Sequence, residues 1–192
     1  SQIFQFTLGP VQGFVAQARR TRDFWAGSFI LSWLSSAAIA CIQKQGGTVQ
    51  FPVPDEGYMH HLYNEAGKQN HPRPQQGSIP NRFMALTAKV PQGFKPEWVT
   101  QTVQAAWRAL ADTVWTHDLA DMASAPSQAI WSRQVEQFWD ITWVLSDGSE
   151  PSLLDRRKNW RSATAPDEPG HKCMMMDGWQ ELSGVTHTDM KA

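Results

Sequence analysis

The sequence predicts an α+β fold in which an antiparallel sheet of four strands carries helices on one face. Three observations predict it. Stretches of period-two alternation with aromatic and β-branched residues occur at 2–8, 48–53, 82–90 and 138–146. Long segments with apolar residues at helical spacing fall between the first and second and between the third and fourth of these. The order of types is therefore β-α-β-β-α-β.

In "QIFQFTL" (2–8), Phe4, Phe6 and Leu8 share one face and Gln5 and Thr7 the other, as in a strand. Gly9 and Pro10 stop it, and Pro10 at a first helical position suits the start of a helix. Val11, Phe14, Val15 and Ala18 follow at helical spacing; Ala26-Gly27-Ser28 is expected to break the helix, which resumes over 29–43 and ends at Gly46-Gly47. "TVQFPV" (48–53) is the second strand. Residues 55–80 hold prolines, glycines, histidines and amides without period and predict a long inserted loop.

"RFMALTAKV" (82–90) alternates again as the third strand. From Pro96 to Met122, Val99, Val103, Trp107, Leu110, Val114 and Leu119 recur at three- to five-residue intervals, an amphipathic helix of many turns. A helix over 127–138 and a fourth strand in "FWDITWVLS" (138–146) complete the pattern. Two split βαβ units of this kind build the ferredoxin-like sandwich, the plan shared by palm domains and RNA-recognition modules. We place this domain at 1–147 and a basic, Pro- and Gly-rich appendage at 148–192.

Composition bounds the function. The chain has 192 residues, 41% hydrophobic and 18% charged, with a formal net charge of -1, so any nucleic-acid binding must come from local patches. Two distant cysteines, Cys41 and Cys173, and an opening without the charged and apolar regions of a secretory signal point to a reducing, cytoplasmic setting. The apolar run around 29–42 is interrupted by Ser32, Ser35 and Ser36 and is too short to span a bilayer, so no membrane association is expected.

Four separated motifs occur in order: "GPVQGFVAQARRTRDFWAGSFILSWL" (9–34), "IPNRF" (79–83), "FWDITW" (138–143) and "EPGHKC" (168–173). Together they resemble the large polymerase/cyclase-like subunit of type III-B CRISPR (Cmr) effector complexes, along nearly the whole chain. The resemblance implies a first palm-like domain followed by a zinc-binding segment. Its implied partners are the other Cmr subunits, crRNA and target RNA through the complex, and a second palm of the same subunit.

The departures from the family pattern matter too. The HD nuclease domain that often opens the subunit is absent from these residues, and so is the Gly-Gly-Asp-Asp hairpin of the second palm. In the zinc segment Cys173 is kept, but Met176 stands where the second thiolate would fall. A thioether is a poor zinc ligand and four donors are needed, so the segment reads as degenerate and no metal site is expected. We expect either an N-terminal piece of a longer subunit or a naturally split one.

Palm catalysis needs clustered carboxylates to hold two divalent ions. "FTLGP" offers none, and Asp55 and Glu56 sit at a loop edge, so no catalytic residue is assigned. The resemblance implies that ATP for cyclic oligoadenylate synthesis occupies a cleft formed with the second palm, with Mg²⁺ held only there. Candidate nucleotide contacts are the helix start after Gly9, whose free N–H groups can receive a phosphate, and Ser28, Ser32 and Ser36 on one helical face. Close helix packing is the other reading of those serines. Asn81 and Arg82 could cap a turn or reach into the same cleft.

For RNA or partner binding the candidates are Arg19, Arg20, Arg156, Arg157, Lys158 and Arg161, with exposed helix as the plainer reading of "RRKNWR". On a helix Arg19, Arg22 and Asp23 share a face while Arg20 points about 100° away. We read Arg22 and Asp23 as a structural pair that leaves Arg19 or Arg20 for partners. Two alternative readings compete: an HD-type metallophosphohydrolase using His60, His61, His117, Asp118 and Asp121, and a free-standing RNA module stacking bases on Phe4 and Phe6.

Overall fold

A computed structural model describes residues 2–63, 72–150, 152–158, 167–176 and 178–186. The strands β1 (Ile3–Gly9), β2 (Thr48–Phe51), β3 (Arg82–Leu86) and β4 (Asp140–Ser146) form one sheet in the order β2-β3-β1-β4, with every neighbouring pair antiparallel. The described α-helices are α1 (Val11–Val15), α2 (Thr21–Gln45), α3 (Glu56–Tyr63), α4 (Pro96–Val114), α5 (Ser127–Gln137) and α6 (Leu153–Lys158). The helix α4 runs on into a π turn (Trp115–Leu119) and a 3-10 turn (Ala120–Met122). Two compact units result: residues 1–106 with 140–161, and residues 107–139 with 162–192.

The core of the first unit grows from the alternation in β1. Phe4 lies opposite Ala85 and Leu145, and Phe6 opposite Phe83 and Trp143. The Phe6 and Phe83 rings stack at 4.8 Å, and Phe4 meets Phe94 edge-on at 4.8 Å. Phe4, Phe6 and Leu8 are fully buried. At about 1.5–3 kcal/mol for each such side chain, this face contributes heavily to folding. It also corrects the stacking-platform reading: Phe4 and Phe6 are core residues that no base can reach.

Helix α2 adds Leu31, Leu34, Ala38 and Ile42 to the core at intervals of three and four residues. It ends at Gly46, whose φ of 96° suits glycine and turns the chain toward β2. By length and hydropathy its 25 residues could cross a bilayer, which corrects the expectation drawn from the run at 29–42 alone. Half of its apolar window is buried within the protein, the arrangement of a core helix.

The break in the first helical segment lies at 16–20, not at 26–28. Pro10 precedes α1 as its cap rather than occupying its first turn, and α1 has only five residues. The chain re-enters helix at Thr21 after an extended Arg20 and continues unbroken through Gly27. The reason is packing: folding back at 16–20 brings the Phe14 ring against Gly27.

The expected loop at 55–80 contains a helix. Asp55 accepts the backbone N–H of Tyr58 at 3.0 Å, and its carbonyl accepts that of Met59, so it caps α3 and lets Tyr58 and Met59 turn inward. Residues 64–71 of that stretch lie outside the described residues. Strands β2 and β3 are shorter than the sequence expects, and their pairing is irregular between Val49 and Phe51.

In the second unit Trp107 donates its indole N–H to the Val135 carbonyl at 3.0 Å, and Trp107, Phe138, Trp139 and Trp179 form a ring cluster. Lys172 and Gln180 form an isolated antiparallel β-bridge. Glu168, nearly buried, accepts hydrogen bonds from Arg133 at 2.6 Å, from the Gln180 N–H at 3.2 Å and from Gln134 at 3.4 Å.

Candidate functional site

The end of the sheet where β1 leaves and β3 and β4 enter gathers Gly9, Asn81, Arg82 and Asp140. Gly9 lies opposite Asp140 in the β1–β4 register. Asn81 clamps Leu8 from both sides: its side-chain amide donates to the Leu8 carbonyl at 2.8 Å, and its own carbonyl accepts the Leu8 N–H at 2.9 Å. Arg82 reaches Asp155 of α6 at 2.6 Å, and that hydrogen bond raises the guanidinium pKa further. Both partners are about half exposed, so water screens the pair and it is worth about 1 kcal/mol or less.

Two serines of α2, Ser32 and Ser36, are engaged within the fold. Ser32 is buried and donates to the Ile79 carbonyl at 3.0 Å. Ser36, fully buried, donates to the Trp33 carbonyl at 2.6 Å and shares a hydrogen bond with the Tyr63 hydroxyl at 3.1 Å. A Cβ on Gly77 would stand 2.5 Å from both the Ser28 carbonyl and the Ser32 hydroxyl, so small residues seat the 77–79 segment on α2. The helix after Gly9, five residues long, has little dipole with which to hold a phosphate.

Arg19 and Arg20 stand exposed in the turn before α2, outside the helix, so helical facing does not separate them. Arg22 and Asp23 do pair, at 3.6 Å and largely in solvent. Phe24 and Trp25, both about half exposed, follow the arginines in the first two turns of α2; the Trp25 ring stacks on Phe29 at 5.6 Å. In the second basic stretch Arg156 pairs with Glu150, while Arg157 donates to the Trp143 carbonyl at 3.0 Å and lies over the Trp143 ring at 5.4 Å. Lys158 closes α6 with its side chain outside the described part, and Arg161 lies outside the described residues.

The profile of the family described as CRISPR-associated protein Cmr2, N-terminal, matches residues 3–112, more than half of the chain. The chain belongs to this family. No curated protein matches it at a significant level. Membership makes it the N-terminal region of a type III-B CRISPR effector subunit, a component of a multi-subunit complex. The Cmr2 match covers β1 through β3 and most of α4, hence the whole sheet except β4.

Chemically, the sheet end of this Cmr2-family chain offers an ion pair, an amide clamp and one further carboxylate, Asp140. Two-ion chemistry needs several carboxylates converging on one point, and among the described residues no group of three His, Cys, Asp or Glu side chains could hold a metal. At 167–176 the Cys173 sulfur accepts the Met175 N–H at 3.4 Å, and the Cys173 N–H donates to the Trp179 carbonyl at 2.7 Å. His60 and His61 lie on α3 of the first unit, whereas His117, Asp118 and Asp121 lie in the second. The four-stranded sheet itself is foreign to an all-helical HD fold.

Sequence reasoning missed Asp155, the partner of Arg82 from 73 residues away, and Trp143, the seat of Arg157. No local signal marks either. Asp55 was legible in principle, since an Asp before Glu-Gly-Tyr-Met is a helix-start pattern.

Proposed function

We propose that the first unit is a ferredoxin-like first palm without catalytic residues. It scaffolds a type III-B effector complex in the cytoplasm and forms one wall of a cleft for ATP and cyclic oligoadenylate with a second palm. The antiparallel order β2-β3-β1-β4 with helical connections supports the ferredoxin-like reading. The observation that carries the non-catalytic reading is the Arg82–Asp155 pair at the end of the sheet: the charges there offset one another instead of assembling an acidic cluster. Such a wall positions a neighbour and leaves metal and nucleotide chemistry to the other palm.

Arg19 and Arg20, beside the half-exposed Phe24 and Trp25, form the basic and aromatic surface best suited to crRNA phosphates and bases. Incubating the chain with ATP and Mg²⁺ or Mn²⁺ tests the catalytic half of the reading. No oligoadenylate is expected, and clear product overturns it. The RNA-contact part of the reading is tested by assembling the complex around Arg19→Glu/Arg20→Glu. Loss of crRNA from an otherwise complete assembly is expected; unchanged crRNA content removes this surface from the account.

A further inference from the structure

A groove of 820 Å³ opens between the last turns of α2 and the first turns of α4, floored by the connection from β3. Its apolar lining comes from Val90, Pro91, Trp98 and Ala105, and its charged lining residues are Lys44 and Lys95. The groove is pre-formed. Gln45 accepts the Lys95 N–H at 2.8 Å and donates to the Lys95 carbonyl at 3.3 Å, which ties the connection to the end of α2. Pro91 lies 3.6 Å from the Cβ position of Gly46 and braces the same corner.

Trp98 is 53% exposed at the rim, although a residue of this size and apolarity gains most when covered. Trp98, Gln101, Thr102 and Ala105 recur at helical spacing along the groove wall, so the exposed stripe is continuous for two turns of α4.

We propose that this groove is the seat of an acidic segment of a neighbouring protein, held by an apolar side chain against Trp98 and by carboxylates at Lys44 and Lys95. The proposal rests on the reading that the chain works inside a multi-protein complex and adds to it where one partner docks and by what chemistry. Charge chooses the occupant, because both ionic groups of the lining are cations on an apolar floor. An RNA strand would be served instead by a track of many cations with arginine for its phosphates. Two isolated lysines above a concave apolar surface suit a peptide with one anchor and a few carboxylates.

The test uses the assembled effector complex with a photo-cross-linking benzoylphenylalanine in place of Gln101. Cross-links are expected on one Asp- and Glu-rich segment of a partner subunit that also carries an apolar residue. Lys44→Glu/Lys95→Glu should lower that cross-link by about tenfold or more, while Arg108→Glu, an exposed change outside the groove, leaves it unchanged. Cross-links to RNA, to a basic or neutral segment, or to nothing in an intact complex overturn the groove proposal and leave the scaffolding reading standing. Failure of the chain to co-purify with any partner overturns both.

Discussion

Phe14 and Gly27 meet across the turn between α1 and α2, with the Phe14 ring 3.5 Å from the point where a Gly27 β-carbon would stand. That distance admits a methyl group and nothing larger. Gly27→Ala is expected to raise stability by up to about 1 kcal/mol, because alanine favours helix and the contact stays ordinary. Gly27→Leu should displace Phe14 and lower stability by about 1–3 kcal/mol. Urea unfolding of both variants checks the pair; equal behaviour would mean that the ring is not seated there.

Asp55 links α3 to the segment that crosses α2, since its second oxygen accepts the Ser78 hydroxyl at 2.9 Å. The Tyr58 N–H bond first, with the Ser78 bond in support, outweighs burial and holds the Asp55 pKa below its ordinary 3.8. Its stabilising effect is therefore complete above that ordinary value and fades as pH falls through the lower folded one. Asp55→Ala should cost about 1–2 kcal/mol and Asp55→Asn much less. Amide exchange over Tyr58–Tyr63 reads the difference, and faster exchange confined to the Ala variant is the expected result.

Tyr58 is 3% exposed, and its hydroxyl has no hydrogen-bond partner among the described residues. Burial raises its pKa, with Tyr63 and Asp55 adding to the effect. Removing an unsatisfied buried hydroxyl relieves a desolvation cost, so Tyr58→Phe should stabilise the chain by about 1 kcal/mol. A lower denaturation midpoint for this variant would reveal a partner for the hydroxyl.

Glu168 ties the 167–186 segment to α5 in the second unit. Burial alone would raise its pKa, but the bonds from Arg133, the Gln180 N–H and Gln134, with the Arg133 charge, prevail and hold it below the ordinary 4.5. The carboxylate therefore stabilises the unit fully above pH 4.5, and the effect is lost as pH falls through the lower folded value. Glu168→Gln should cost about 2–3 kcal/mol at neutral pH and flatten the acid limb of the stability curve. Tryptophan fluorescence from the Trp107–Trp179 cluster follows the transition; an acid limb identical to that of the parent chain would assign it to another group.

The candidate site was legible only in fragments. "IPNRF" marked Asn81 and Arg82 through the family resemblance, but their partners were hidden, because Leu8 and Asp155 each lie 73 residues away. The serines at 28, 32 and 36 were visible as a helical stripe. Their spacing could not say what the stripe faces, and the fold places a backbone segment against it.

The four strands in their order, the long helices between them and the family were determined by the sequence alone, because burial with a period of two or of about 3.6 residues is a local property written in consecutive residues. The aromatic alternation of β1 is such a record, and so is the apolar spacing of α2. Tertiary structure alone decided where the first helix breaks, since that depends on Phe14 reaching Gly27, and it alone returned β4 to the side of β1. It likewise sent 140–161 to one unit and 162–192 to the other. Such choices depend on which distant surfaces exclude water together, and no window of neighbouring residues contains that information.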